Sequence, residues 1–334
     1  MRLKKGMRFC PQCGTAVPKH GKTAGAILVS ICLLAVLTGG IVYWCGTAPS
    51  RAAENTGEMS IPNPEAGMPE PVTKASAVVV YSGECGETMT WTLDSAGTLL
   101  ISGSGKMNDY PDGDTPPWLP LDIPVTEVIF EGDITRIGES AFCMTSLNNV
   151  FIPASVTEIG YHAFGFIDTL EGIWVDPENP AYSNDDSGVL FDKKKQYLIT
   201  APPVLTGTYT VPEGVEWIFD AAFFKCRELT KVRLPMSLKT IGSGAFSECT
   251  ALTEITIPQG VESLSWSTFF NCSSLKTVRI PESMTTIESG AFQDCHLDFV
   301  FYGGTLEQWE QMMRNYEDYD SDPFAGAVTR FQTH

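Results

Sequence analysis

Across residues 125–302 the apolar positions follow a long template that recurs. In "LTEITIPQGVESL" Leu252, Ile255 and Ile257 point one way, Pro258 ends a short strand, and Val261 and Leu264 continue the apolar set. "LKTVRIPESMTTIESGAF" and "LTKVRLPMSLKTIGSGAF" repeat that template almost slot for slot. Each copy closes on an Ala-Phe pair: Ala141-Phe142, Ala163-Phe164, Ala222-Phe223, Ala245-Phe246 and Ala291-Phe292, with Thr268-Phe269 as a variant. The last four phenylalanines of the series stand 23 residues apart. Such a unit predicts a short strand, a turn and a second extended or 3₁₀ piece, too small to bury its own apolar face. Stacked units put Leu on Leu and Phe on Phe, so only the array has a core, which is the signature of a solenoid. Prolines fit at the strand ends, where no ladder donor is lost. Gly138, Gly160 and Gly242, after the second apolar residue, predict a turn with positive φ. Phe219, Ser265 and Glu288 fill that slot elsewhere, so the requirement is not absolute.

A different pattern lies near the start. Ala24 to Cys45 is an uncharged run of 22 residues, long enough as a helix to span roughly 33 Å and cross a bilayer. A buried core helix seldom runs that far without a polar face. A cleaved signal peptide has a shorter lead, and neither Cys32 nor Cys45 sits in a lipoprotein-type cleavage box, so an uncleaved signal anchor is expected. Arg2, Lys4, Lys5, Arg8, Lys19 and Lys22 precede the run, only Arg51 follows it closely, and no acidic residue occurs before Glu54. That asymmetry places the N-terminus in the cytoplasm and the rest outside. Of the chain's 22 basic and 40 acidic residues, 15 and 40 lie beyond Ala53. So acidic an outer region repels phosphate backbones and argues against nucleic-acid binding. Residues 46–77, rich in proline and small polar residues, predict a disordered or extended linker.

The head, residues 1–23, contains "FCPQCGTAVP". Cys10 and Cys13 can direct two thiolates at one metal, a turn that Gly14 eases. The segment resembles the first half of a bacterial zinc ribbon, but the second CxxC is absent. A zinc site would need His20 or another chain to complete it. The bland alternative is a degenerate remnant in a tail. A thioredoxin-like redox role lacks the surrounding βαβ pattern.

The template Leu-xx-Ile-x-Ile-Pro-xx-Val-xx-Ile-Gly-xx-Ala-Phe-xx-Cys resembles the BspA-type leucine-rich repeat of bacterial surface proteins, over roughly Ser82 to Phe331. "SGECGETMTWTLDSAGTLLISGSGKM" is similar to the β-hairpin module that often precedes such repeats, and "FYGGTLEQWEQM" to their closing cap. Asp176 to Thr208 resembles the family's long irregular repeat, with "DSGVLFDKKKQYLI" as its hairpin. The resemblance implies a mainly β leucine-rich-repeat solenoid with an N-terminal hairpin cap, behind a single transmembrane helix. The expected division is head 1–23, membrane helix 24–45, linker 46–77, hairpin module 78–124, solenoid 125–302 and C-terminal cap 303–334. Family members are associated with adhesion to host or matrix proteins, yet the fold alone does not fix a ligand.

Candidate chemistry is sparse. Cys226, Cys249, Cys272 and Cys295 form a 23-residue ladder. At ~4.8 Å per coil it extends over ~14 Å, too far for one tetrahedral ion with ~2.3 Å bonds. Buried thiols acting as small hydrophobes are expected, with disulfides between adjacent coils as the alternative. Cys85 and Cys143 break the period. A hydrolytic triad needs a histidine held by a carboxylate. His20 and His334 lie at the chain ends, and His162 and His296 read as exposed turn residues, so no catalytic constellation forms. "DYDSDP" at 318–323 superficially resembles a calcium loop, but Pro323 stands where glycine is needed and Thr329 where a bidentate glutamate is needed.

The sites of interest are therefore outward strand positions, two and four before the strand-ending proline. They hold Asn149, Phe151, Thr208, Thr210, Lys231, Arg233, Glu254, Thr256, Thr277 and Arg279. Lys231, Arg233 and Arg279 predict a basic spot on an acidic body, with Phe151 and Trp174 as aromatic anchors; arginine and aromatic residues carry interface hot spots. The bland alternative is ordinary solvated strand positions. The expected function is a membrane-anchored outer module that binds a protein or glycan, without a cofactor. The alternatives are a transmembrane sensor reporting to the Cys10/Cys13 head and a cell-wall-active enzyme, which lacks its residues. The topology has a direct check: protease added to intact cells should release the 82–334 region. Release from lysed cells alone would reverse the orientation.

Overall fold

The computed structural model describes residues 8–9, 16–17, 77–111, 114–314, 316, 324 and 326–331. Cys10, Cys13, the 24–45 apolar run, nearly all of the 46–77 linker and the acidic 318–323 segment lie outside the described residues. No helix among the described residues is long and apolar enough to cross a membrane. Arg8–Phe9 and Ala16–Val17 pair as a small two-stranded sheet.

From Val79 onward the chain is a succession of short strands and turns. The antiparallel strands Val79–Gly86, Met89–Asp94 and Thr98–Gly103 begin a six-stranded sheet, which the parallel strands Glu127–Glu131, Asn149–Ile152 and Gly172–Val175 continue. A second six-stranded sheet is parallel throughout: Thr206–Thr210, Glu228–Arg233, Glu254–Thr256, Thr277–Ile280, Phe299–Tyr302 and Val328–Phe331. Alternation along each strand sets the faces. Val278 and Ile280 are buried while Arg279 between them is exposed, and the same rule places Val150 and Ile152 inside with Asn149 and Phe151 outside.

The aromatic ladder is the interior counterpart. Phe223, Phe246, Phe269 and Phe292 stack with centroids 4.9, 5.3 and 5.2 Å apart and planes within 11° of parallel. Trp118, Phe142 and Phe164 form a shorter stack. Backbone bonds hold the same step: the N–H of Phe246 donates to the carbonyl of Thr268 in the next coil, and that of Phe223 to Ala245. The ends are closed by rings of other origin. Trp118 lies over Phe142 and donates its indole N–H to the Ala141 carbonyl at 2.9 Å. At the far end Phe324 meets Phe292 edge-on, and Trp309 of the helix Leu306–Met313 meets Phe324. That helix starts at Thr305, whose side chain accepts from the Gln308 N–H while the Gln308 side chain accepts from the Thr305 N–H.

The expected role of glycine needs correction. Gly138, Gly160 and Gly242 do not have positive φ; they are small because the preceding coil is too close. A Cβ on Gly138 would lie 1.8 Å from the Asn108 carbonyl oxygen, one on Gly160 2.3 Å from the Glu139 nitrogen, and one on Gly242 2.5 Å from the Asp220 nitrogen. The left-handed residue is instead the one just before Ala-Phe: Ser140, His162, Ala221, Gly244, Ser267 and Gly290, with φ from 51° to 67°. All six coils repeat it two residues after Phe, at Met144, Phe166, Lys225, Glu248, Asn271 and Asp294. Most of these carry side chains, so the conformation is imposed by the stack against a local cost of about 1–2 kcal/mol each.

The irregular stretch divides the interior. Tyr182–Asn184, Leu190–Asp192 and Tyr197–Thr200 form an antiparallel meander, and the middle strand is buried along its whole length. Leu190 packs into the N-terminal core, whereas Val189 and Phe191 pack into the C-terminal one. Buried Asn179 donates to the carbonyls of Pro153 and Val156 and accepts from the N–H groups of Ala181 and Tyr182. Asp192 accepts from Gln196 and Tyr197. These amide and carboxylate hubs supply the turns that the regular template obtains from its Ala-Phe segment.

Two pairs of substitutions test this account. Phe246→Ala should cost about 3–5 kcal/mol, against under ~0.5 kcal/mol for Ser243→Ala; equal losses in urea unfolding would overturn the inside–outside assignment. Gly138→Ala should lower stability by more than Gly244→Ala, because a Cβ at Gly244 meets nothing closer than 3.8 Å and adds only the left-handed strain of about 1–2 kcal/mol, whereas one at Gly138 would lie 1.8 Å from a carbonyl oxygen.

Candidate ligand-binding face

The outward strand residues fall into two rows, since beyond the register shift between Gly207 and Thr208 parallel pairing aligns equivalent positions. In the C-terminal sheet one row runs Thr208, Lys231, Glu254, Thr277, Phe299, Val328. Two residues further along each strand runs the second row: Thr210 pairs with Arg233, and Thr256, Arg279, Phe301 and Arg330 follow in register, with the Lys231–Glu254 register carried two residues on setting Arg233 beside Thr256. Phe299, Phe301 and Arg330 were not among the expected site residues. They lie beyond the last Ala-Phe unit, and only the parallel pairing of the closing strand Val328–Phe331 brings Arg330 into the row.

The charges within these rows are not equivalent. Lys231 is ion-paired with Glu254, so the expected basic spot is narrower than three residues. The hydrogen bond and charge of Lys231, with a smaller contribution from Arg279, hold the Glu254 carboxyl below its usual range. The Arg279 guanidinium carbon lies 4.2 Å from the centroid of the Phe301 ring, and that of Arg330 lies 5.8 Å from the same ring. Phe301 thus stands between two arginines on flanking strands. Thr256, Arg279, Phe301 and Arg330 border an open cleft of about 410 Å³ whose floor includes Ile257, Ile280 and Tyr302.

The N-terminal sheet is different in kind. Ile129, Phe151 and Trp174 are exposed by 42, 50 and 39% on neighbouring strands, with Phe151 and Trp174 directly in register. Trp174 lies against Gly172, where a Cβ would come within 3.1 Å of the indole, and donates its N–H to the Asn149 side-chain oxygen at 3.1 Å. Asn149 in turn donates to Glu171 at 3.0 Å. Asn149 therefore orients the indole, a role that strand alternation alone could not assign.

The cysteine ladder is structural. Cys226, Cys249, Cys272 and Cys295 are buried free thiols. The sulfurs of Cys249, Cys272 and Cys295 donate to the carbonyls of Phe223, Phe246 and Phe269 at 3.2, 3.1 and 3.1 Å. Each thiol thus ties its coil to the preceding phenylalanine. Burial, and hydrogen bonding to the neighbouring thiol, push Cys249 and Cys272 well above the ordinary range. Burial pushes Cys85 up to about 11. Among the described residues no group of three or more histidine, cysteine or acidic side chains converges as a metal site. His162, expected as an exposed turn residue, is half-buried, stacked on Tyr161 and set edge-on against Phe166.

Folded pKa values raised above the unfolded thiol value of 9.0 mean that the unfolded chain ionises first as pH rises. Stability is then fully present below that value and declines above it. Melting temperature should fall between pH 8 and 10, and the Cys249→Ala, Cys272→Ala variant should flatten the fall. Native protein should resist alkylation at the ladder and react once unfolded; rapid native labelling would contradict the burial.

The chain matches the pattern of the family described as BspA type leucine rich repeat region, in six copies over residues 122–179 and 206–317. The gap between those ranges contains the meander. No curated protein matches the chain. Among solved structures it is similar to a leucine-rich repeat protein from Eubacterium ventriosum, 20% identical over 68% of this chain and 87% of that one, with a TM-score of 0.39. It is also similar to a leucine rich cell surface protein from Faecalibacterium prausnitzii, 19% identical over 71% and 98%, TM-score 0.46. The pneumococcal vaccine antigen PcpA is 18% identical over 63% of each chain, TM-score 0.48.

Proposed function

This chain belongs to the BspA type leucine-rich-repeat family, and from that premise we propose that it is a membrane-anchored, extracellular ligand-binding or adhesion protein whose working surface is the exposed strand face. The observation that carries the reading is the alignment of exposed Arg233, Arg279 and Arg330 with half-buried Phe301 in one outward row, on a chain of net charge −18. Cationic and aromatic groups concentrated on one face of an acidic body favour steering and anchoring of a partner over chemistry at a closed site. The partner class is an extracellular protein or glycan. Anchoring through residues 24–45, with the N-terminus inside, rests on the apolar run and the basic residues that precede it. Cys10 and Cys13 could hold zinc only with ligands from His20 or another chain, and a sensor role would rest on that head being structured.

Screening the protein against matrix proteins and glycans tests the binding role. For any ligand found, reversing Arg233 and Arg279 together to Glu should weaken binding at least about tenfold, and added salt should weaken the native complex. Reversing Lys193 and Lys194 to Glu, in the irregular repeat, should leave binding unchanged. The opposite pattern would move the binding surface to the meander.

A further inference from the structure

We propose that the second strand row is a reader of acidic polypeptide in polyproline II conformation, one that carries a carboxylate at every third residue. This rests on the strand face being the binding surface and names the class of partner it takes.

The case begins with spacing. Arginine occupies every second strand of the row: Arg233, then Thr256, then Arg279, then Phe301, then Arg330. At ~4.8 Å between neighbouring strands, successive arginines are ~9.6 Å apart across the sheet. A polyproline II helix advances ~9.3 Å per three-residue turn, and residues three apart lie on one face. Carboxylates at every third position therefore meet all three arginines with a drift of under ~1 Å. An extended β-strand does not match: its same-face positions recur at ~6.7 and ~13.4 Å.

Charge and geometry agree with that spacing. Among the described residues none of these three arginines has a carboxylate within ion-pair distance, whereas Arg136, Arg227, Lys106, Lys225, Lys231 and Lys239 are all paired. Arg279 and Arg330 lie against the Phe301 ring, which restrains their planar guanidinium groups and leaves edge N–H donors for a carboxylate. The same stacking argues against a glycan. The ring faces that would receive sugars are covered by arginine, and the uncharged polar side chains at the cleft are Thr256, Gln259 and Tyr302, whose buried hydroxyl already donates to the Met284 carbonyl. The apolar floor beside the row, with Met236 exposed by 67% at its rim, suits proline rings between the acidic residues.

The test uses the full-length chain and a labelled synthetic peptide of about six Glu-Pro-Pro triplets, chosen for the turn length above. Its comparator has the same composition with all glutamates contiguous, and a heparin-like sulfated chain is the third probe. The triplet peptide should bind at least about tenfold more tightly than the block isomer. Arg279→Gln and Arg330→Gln should each weaken it roughly tenfold or more, while Arg314→Gln should not. Unchanged melting temperatures confirm that the variants are folded. Arg279→Lys should also weaken binding, because it keeps the charge but loses the planar fork. Equal or tighter binding of the block isomer would overturn the proposal in favour of unspecific attraction. Binding of the sulfated chain alone would overturn it in favour of a glycan. In both cases a matrix ligand lost on reversing Arg233 and Arg279 would still uphold the strand face as the binding surface. If no ligand of any class depends on those arginines, both readings fall.

Discussion

Everything in this protein depends on one distance, the step from coil to coil. A unit of about 23 residues cannot enclose a core, so each phenylalanine is covered by the coils on either side of it, with rings 4.9 to 5.3 Å apart in the regular stack. The backbone bonds from Phe to the following coil, the parallel strand ladder and the thiol–carbonyl contacts all have to be satisfied at that same step. This is why a glycine with unexceptional φ is required at 138, 160 and 242: two backbones pass where a methyl group would collide. It also explains why residues such as Ala221 and Lys225 accept left-handed conformations that their side chains disfavour.

The same step organises the outer surface. Because pairing is parallel and in register, residues one coil apart stand side by side whatever their chemistry, and a solvent-facing slot becomes a row. Evolution of such a row needs no change to the core. The two sheets show how far apart the results can be: Ile129, Phe151 and Trp174 on one, arginines and Phe301 on the other. Between them the meander replaces stacking by a strand buried on both sides, Leu190 serving one core and Phe191 the other.

The ends obey the constraint by substitution. A stack must finish on something that covers the last ring, and this chain uses Trp118 at one end and Phe324 with Trp309 at the other. The closing strand Val328–Phe331 does more than cover. By adding a sixth strand in parallel register it carries Arg330 to the far side of Phe301 and extends the arginine row by one member.

What could be read from the chain by itself was whatever repeats. The Ala-Phe period, the buried Leu and Val slots, the outward positions of Lys231, Arg233, Glu254 and Arg279, and the inability of the cysteine ladder to share one ion all follow from a recurring template, because in a stack each slot meets its own kind. What only the tertiary structure decided was whatever does not repeat or depends on a neighbour one coil away. The reason glycine is needed at Gly138 is an oxygen on Asn108, thirty residues earlier in sequence. The neutralisation of Lys231 is set by Glu254, the orientation of Trp174 by Asn149, and the place of Arg330 by a strand outside the template. A local pattern specifies which face a side chain takes. The partner it meets there is fixed by coil spacing and register, which no single repeat contains.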